Sequence, residues 1–136
     1  MIKKIPRVTV GALVFNKHNK ILLLKSPKWK GKYIAPSGHV EYGETLVNAV
    51  KREVFEETGL KVNDVVLLNI QELIQSTEYY KNIHVVSINF TCKSINENVK
   101  LNNEAVDYIW LDPKDALQEN IDSLTRKSIT DYLAKQ

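Results

Sequence analysis

The sequence predicts one α/β domain over residues 1–136, with a mixed β-sheet lying between helical layers. Three features of the chain predict it. Branched apolar runs open the sequence, a long helix-forming stretch without glycine or proline interrupts them, and further apolar runs lead into a helical C-terminus. Hydrophobic residues at 43% and charged residues at 26% match ordinary globular usage, and 136 residues suffice for a core without disulfides or a structural metal.

Residues 8–15 and 21–25 are rich in branched apolar side chains, and the intervening Asn16-Lys17-His18-Asn19-Lys20 has turn composition, so the pair reads as a hairpin. Tyr33-Ile34-Ala35 reads as a short strand ended by Pro36-Ser37-Gly38, because proline lacks a ladder donor and glycine permits a bend. Residues 44–58 then form the best-defined helix, with Gly59 in the place of a left-handed cap. Strands are expected over 62–74, 83–92 and 106–111. Asp112-Pro113 suits the start of a short helix over 114–118, and 122–135 of a terminal one.

The N-terminus carries Lys3 and Lys4 but no apolar run of signal-peptide or membrane-span length, so a cytoplasmic protein without a membrane partner is expected. The single cysteine, Cys92, excludes an intrachain disulfide and reads as a buried structural thiol. A formal charge of +3 permits anionic substrates without demanding nucleic acid. Lys25, Lys28, Lys30 and Lys32 crowd around Trp29, which a solvated loop explains most simply.

The chemistry gathers in the predicted helix. In Arg52-Glu53-Val54-Phe55-Glu56-Glu57, residues three and four apart share a side, so Glu53, Glu56 and Glu57 converge. Stepping about 100° per residue puts Leu46, Ala49 and Val50 on the same stripe, with Val47 and Val54 flanking and Phe55 left outside. The face that packs on the protein in the first turns thus becomes acidic in the last. Clustered, partly buried carboxylates repel unless cations neutralise them, and hard oxygens suit magnesium or manganese. Arg52, four residues before Glu56, is placed to orient a carboxylate.

Gly38, Glu44 and Arg52-Glu53-Val54-Phe55-Glu56-Glu57-Thr58-Gly59-Leu60 match the Nudix box, G-x5-E-x7-R-E-U-x-E-E-x-G-U, at every specified position. Seven fixed identities at this spacing arise by chance on the order of once in a billion starts. The chain therefore resembles the Nudix hydrolases, and the flanking hairpin, the strand ending in proline and the late tryptophan-bearing strand resemble them too. The resemblance implies a Nudix-type α/β/α sandwich that hydrolyses a nucleoside diphosphate linked to another moiety with Mg²⁺, or Mn²⁺ as substitute. It makes Glu53, Glu56 and Glu57 metal ligands, the Gly38 carbonyl a further ligand, and Arg52 and Glu44 supporting catalytic residues. Glu53 also helps activate water, and Glu104 resembles the acidic ligand or base that relatives add from beyond the box. Ser37 stands where many relatives carry glycine.

Substrate identity lies outside the box. The Ser-Gln-Pro-Trp-Pro signature of NADH-cleaving relatives and the proline that follows the box in many ADP-ribose hydrolases are absent. The compact connection after the box most resembles the branch that converts nucleoside triphosphates to monophosphates and pyrophosphate. Candidate substrate contacts are Lys25, Tyr33 and Trp110; Tyr79 and Tyr80 are further stacking aromatics for which packing is the commoner role, and His84 reads as strand filler. The alternatives are an ADP-ribose or dinucleotide hydrolase, a hydrolase of 5′-phosphorylated RNA ends, and a nucleotide-sensing module without turnover. Monomer and homodimer are both open.

Overall fold

The computed structural model describes residues 4–136. Strands β1 (Arg7–Phe15), β2 (Ile21–Ser26), β3 (Lys32–Ile34), β4 (Ser37–His39), β5 (Val62–Ile74), β6 (His84–Ser94) and β7 (Asp107–Leu111) form one seven-stranded mixed sheet. Its order is β3-β2-β1-β6-β5, with β4 also on β1 and β7 on the other edge of β2. Among these seven strands only the β1–β6 pair is parallel. Helices α1 (Leu46–Thr58), α2 (Pro113–Ala116) and α3 (Ser123–Ala134) complete the chain.

The two faces of the sheet carry separate cores. Val10, Ala12 and Val14 of β1 and Leu22 and Leu24 of β2 pack with Ala49, Val50 and Val54 of α1. Leu13, Phe15, Ile21 and Leu23 pack instead with Ala116 and Ile129 from α2 and α3. The unbroken apolar run of β2 follows from this: Ile21 to Leu24 are 0–2% exposed because both faces are covered. Each such side chain contributes roughly 1.5–3 kcal/mol on leaving water.

The opening hairpin departs from a simple ribbon in a way that makes the site. β1 and β2 pair at Phe15 and Ile21 and then part. The segment 32–39 fills the opening: β3 pairs with the end of β2, and β4 with Thr9 to Gly11 of β1. The expected turn at Ser37-Gly38 is therefore strand. Pro36 cannot donate, but its carbonyl accepts from Ala12 N at 3.0 Å and pairing resumes one residue later.

The box helix also starts later than its composition predicts. Thr45 is the N-cap, its hydroxyl accepting from Asn48 N at 3.1 Å, which leaves Glu44 in the preceding loop. Its C-terminus is as expected: Gly59 takes φ 72° and donates to Phe55 O at 2.8 Å. Strand β5 spans the expected 62–74, β6 runs two residues past the expected end, and α2 stops at Ala116.

Asp122 caps α3 from a buried position, its Oδ2 accepting from Leu124 N at 3.1 Å and Thr125 N at 3.3 Å. Its Oδ1 is buried without a partner. Burial pushes this carboxyl up to about 6, the cap bonds only partly opposing it. A raised folded-state pKa means that the carboxyl favours folding most when neutral, below about pH 4, and that this advantage is lost as pH rises through about 6. Thermal unfolding of the chain and of D122N should therefore differ with pH: the variant gains relative stability between pH 4 and 7. A pH-independent difference would contradict the burial of this charge.

Candidate active site

Three elements bring the box residues together. α1 carries Arg52, Glu53, Glu56 and Glu57 on its last two turns, β4 supplies Gly38, and the loop between them supplies Glu44. The acids are graded in burial. Glu57 is 7% exposed, the Glu53 side chain is mostly covered, and Glu56 stands at the rim. Val54, predicted to flank the stripe, is fully in the core, whereas Phe55 lies outside at 51% exposure.

Arg52 is the centre of the arrangement. Its Nε and Nη2 donate to the two oxygens of Glu44 at 2.7 and 2.9 Å, Nη1 donates to Glu53 at 2.8 Å and Glu56 at 3.2 Å, and Nη2 also reaches His39 O at 2.9 Å. The forked guanidinium thus ties the loop to the helix and neutralises several acids at once. The bonds from Arg52 pull the Glu44 carboxyl down to about 2. Burial pushes Glu53 up, with Arg52 opposing. Burial, and then the charge of Glu53, push Glu57 well above the carboxylate range; the bond it accepts from Ser37 N at 3.1 Å offsets part of this.

Gly38 lets the chains approach closely: a β-carbon there would overlap the Glu53 carboxylate and displace it from its present position. Glu104 precedes β7 and holds Lys28 Nζ at 3.1 Å, and its charge is felt by both Glu53 and Glu57. The sequence-predicted Gly38, Glu44, Arg52, Glu53, Glu56, Glu57 and Glu104 therefore form one neighbourhood.

The residues fit a divalent cation by their chemistry. Hard carboxylate oxygens with raised proton affinity lie beside a bare strand backbone, and a cation would relieve the repulsion between Glu53 and Glu57. Among the described residues, however, no three acidic, histidine or cysteine side chains are already gathered as a ready ligand set. Arg52 Nη1 lies between Glu53 and Glu56, so a metal would take over those two contacts.

A cavity of about 1370 Å³ extends from these acids across the sheet to α3. It is lined by Arg52, Glu53, Glu56, Glu57 and Glu104 at one side and by Asp122, Thr125 and Ser128 at another. Lys25, Tyr33 and Trp110 are not among its lining residues. Leu24 and Ser26 face it, and Lys25 between them projects the other way. Tyr33 packs on the α2/α3 core, and Trp110, opposite Leu22, packs on the α1 core.

Other lining residues escaped sequence reading. Ser87 and Asn89 form a polar floor within strand β6, Asn89 donating to Asn69 Oδ1 at 3.0 Å. Trp29, read only as the centre of a lysine cluster, is buried and meets Tyr79 edge-on at 4.7 Å between ring centroids. His84, read as filler, also lines the cavity. Only Asp122 left a local signal, as the capping residue before α3.

A sequence model of the NUDIX domain matches residues 5–132. Nucleoside triphosphatase NudI of Escherichia coli is 30% identical over 105 residues, covering 73% of this chain and 74% of that protein. A MutT NUDIX hydrolase from Burkholderia pseudomallei superposes with a TM-score of 0.81 at 23% identity, covering 94% of this chain and 98% of the other. A MutT protein from Methanosarcina mazei superposes with a TM-score of 0.77 at 26% identity, covering 99% and 98%. The fold, the box and the match over nearly the whole chain agree: this protein belongs to the NUDIX hydrolase family.

Proposed function

We propose that the protein hydrolyses a nucleoside triphosphate to the monophosphate and pyrophosphate with Mg²⁺, Mn²⁺ serving as substitute. The observation that carries this reading is that Glu53, Glu56 and Glu57 line one side of the cavity, with Glu53 against the Gly38 backbone. The likeness to a nucleoside triphosphatase supports the choice of substrate branch.

Glu53, Glu56, Glu57 and the Gly38 carbonyl are the groups that would hold magnesium. Bound there, the ion neutralises phosphate oxygens and lowers the cost of placing a nucleophile beside them. Arg52 and Glu44 keep the carboxylates in place through the guanidinium fork. Polyphosphates resist attack because their charge repels nucleophiles, so positioning and charge neutralisation are the main tasks. Attack falls on phosphorus without a covalent intermediate, and a carboxylate takes the proton of the attacking water. Glu53, whose side chain is mostly covered, and Glu104, whose charge acts on it, are the two acids assigned to that step.

Two of the alternative readings have less support. In the RNA-end reading the lysines around Trp29 would track phosphates beyond the first nucleotide, and one of them, Lys28, is paired with Glu104. A module without turnover has no need of a full set of box acids, and this chain retains all of them.

With a panel of nucleoside triphosphates, ADP-ribose, dinucleotides and 5′-triphosphate RNA, magnesium-dependent release of pyrophosphate from a free triphosphate is expected; turnover that persists with chelator, or is confined to another substrate class, would overturn the reading. In heavy-oxygen water the label should appear in a phosphate product, and label elsewhere would exclude attack on phosphorus. Substituting Glu56→Gln or Glu57→Gln should lower kcat by roughly 10²- to 10⁴-fold with the fold retained, and unchanged turnover would remove those residues from the metal site.

A further inference from the structure

Helix α1 lies on one face of the sheet without covering all of it. Arg52 reaches the His39 carbonyl and Glu57 accepts from Ser37 N, so α1 runs against β4 and along β1, with Arg52 and Glu53 toward β4. On the opposite flank Val47, Lys51 and Phe55 follow one another at steps of four, and all three are exposed. That flank looks over β6 and β5, because β6 takes the edge of β1 that β2 and β4 leave.

Across the rows of the sheet the cover runs out. Val10, Ile88 and Ile70 lie side by side on β1, β6 and β5: Val10 is 1% exposed, Ile88 is partly buried against the α1 core and Ile70 is 64% exposed. One row toward the end of β1, Ala12 and Phe90 are buried and Leu67 is more than half exposed. One row toward its start, Val8 is exposed, Val86 partly buried and Glu72 exposed. Val8, Val10 and Ala12 share the α1 face by strand alternation. The outer part of that face is therefore an apolar floor of Val8, Val86, Ile88, Leu67 and Ile70, and the α1 flank is a wall beside it. β5 is the last strand of the sheet, which leaves Leu67 and Ile70 in water.

The step carries two charges of opposite sign. Lys51 stands in the middle of the wall and Glu72 at the end of the floor; both are exposed, and neither has an ion-pair partner among the described residues. We propose that the step is closed by a second copy of this chain across a two-fold axis, the α1 wall of each copy lying on the floor of the other with Lys51 of one against Glu72 of the other. A two-fold contact makes every pairing twice, so one wall and one floor per chain, each holding the charge the other lacks, are what such a dimer needs. The exposed apolar parts amount to roughly 500–600 Å² per copy, so a pair buries more than about 1,000 Å², enough for a specific interface. Arg52 and Glu53 face β4, away from the step, and each copy keeps its own cavity open.

Sedimentation equilibrium at micromolar concentrations tests the proposal, with circular dichroism to check that each variant is folded. Wild type should sediment at twice the chain mass. Ile70→Lys, a change at an exposed position, should raise the dimer dissociation constant on the order of a hundredfold. Lys51→Glu and Glu72→Lys each set like charges together at both symmetric contacts and should raise it about tenfold. The double reversal K51E/E72K restores opposite signs across the axis and should return it to within about threefold of wild type. A monomeric wild type, a dimer indifferent to I70K, or a double reversal that dimerises no more tightly than the single ones would overturn the inference.

Discussion

Several carboxylates have to share one arginine, and the site is organised around that shortage. Arg52 reaches Glu44, Glu53 and Glu56 and the carbonyl of His39, so one guanidinium fixes the loop that enters α1 as well as the acids on its last turns. Its charge does not cover them all. Glu57 receives only a backbone bond and sits beside Glu53 almost out of water, where a lone negative charge is costly. One guanidinium among several acids is the reason a divalent cation is proposed at this end of the helix.

The sheet supplies the setting for this imbalance. If β1 and β2 paired along their length, β4 would have no edge to join and Gly38 could not meet the end of α1. Because they part after Phe15 and Ile21, the segment 32–39 lies in the opening with α1 contacts on one side and α3 contacts on the other. The box acids and the Asp122 cap consequently line one continuous cavity. Remote parts of the chain thus meet along six or seven residues of backbone.

Much of this was legible in the sequence where the signal is local. The acids of α1, its Gly59 cap and the span of β5 follow from periodicity and capping chemistry, and the box spacing identified the family. What escaped depends on partners distant in sequence. Ser37-Gly38 reads as a turn until the edge of β1 is known to be free, and Glu44 reads as helical until Thr45 is seen to cap. Lys25 fails as a cavity residue by a single step of strand alternation. Trp29 and Asp122 carry no periodic signal for the cavity, because their places are set by tertiary contacts with the loop after β5 and with β3.

The proposed completion of the acidic end of α1 by a divalent cation is tested most directly by thermal unfolding with increasing magnesium. A ligand that binds only the folded state at a hundred times its dissociation constant adds about 2.7 kcal/mol, which for a domain of this size raises Tm by several degrees. Wild type should show that saturable rise, whereas E57Q, freed of the buried charge, should start higher and respond little. An unchanged Tm in wild type, or an equal rise in E57Q, would contradict the account.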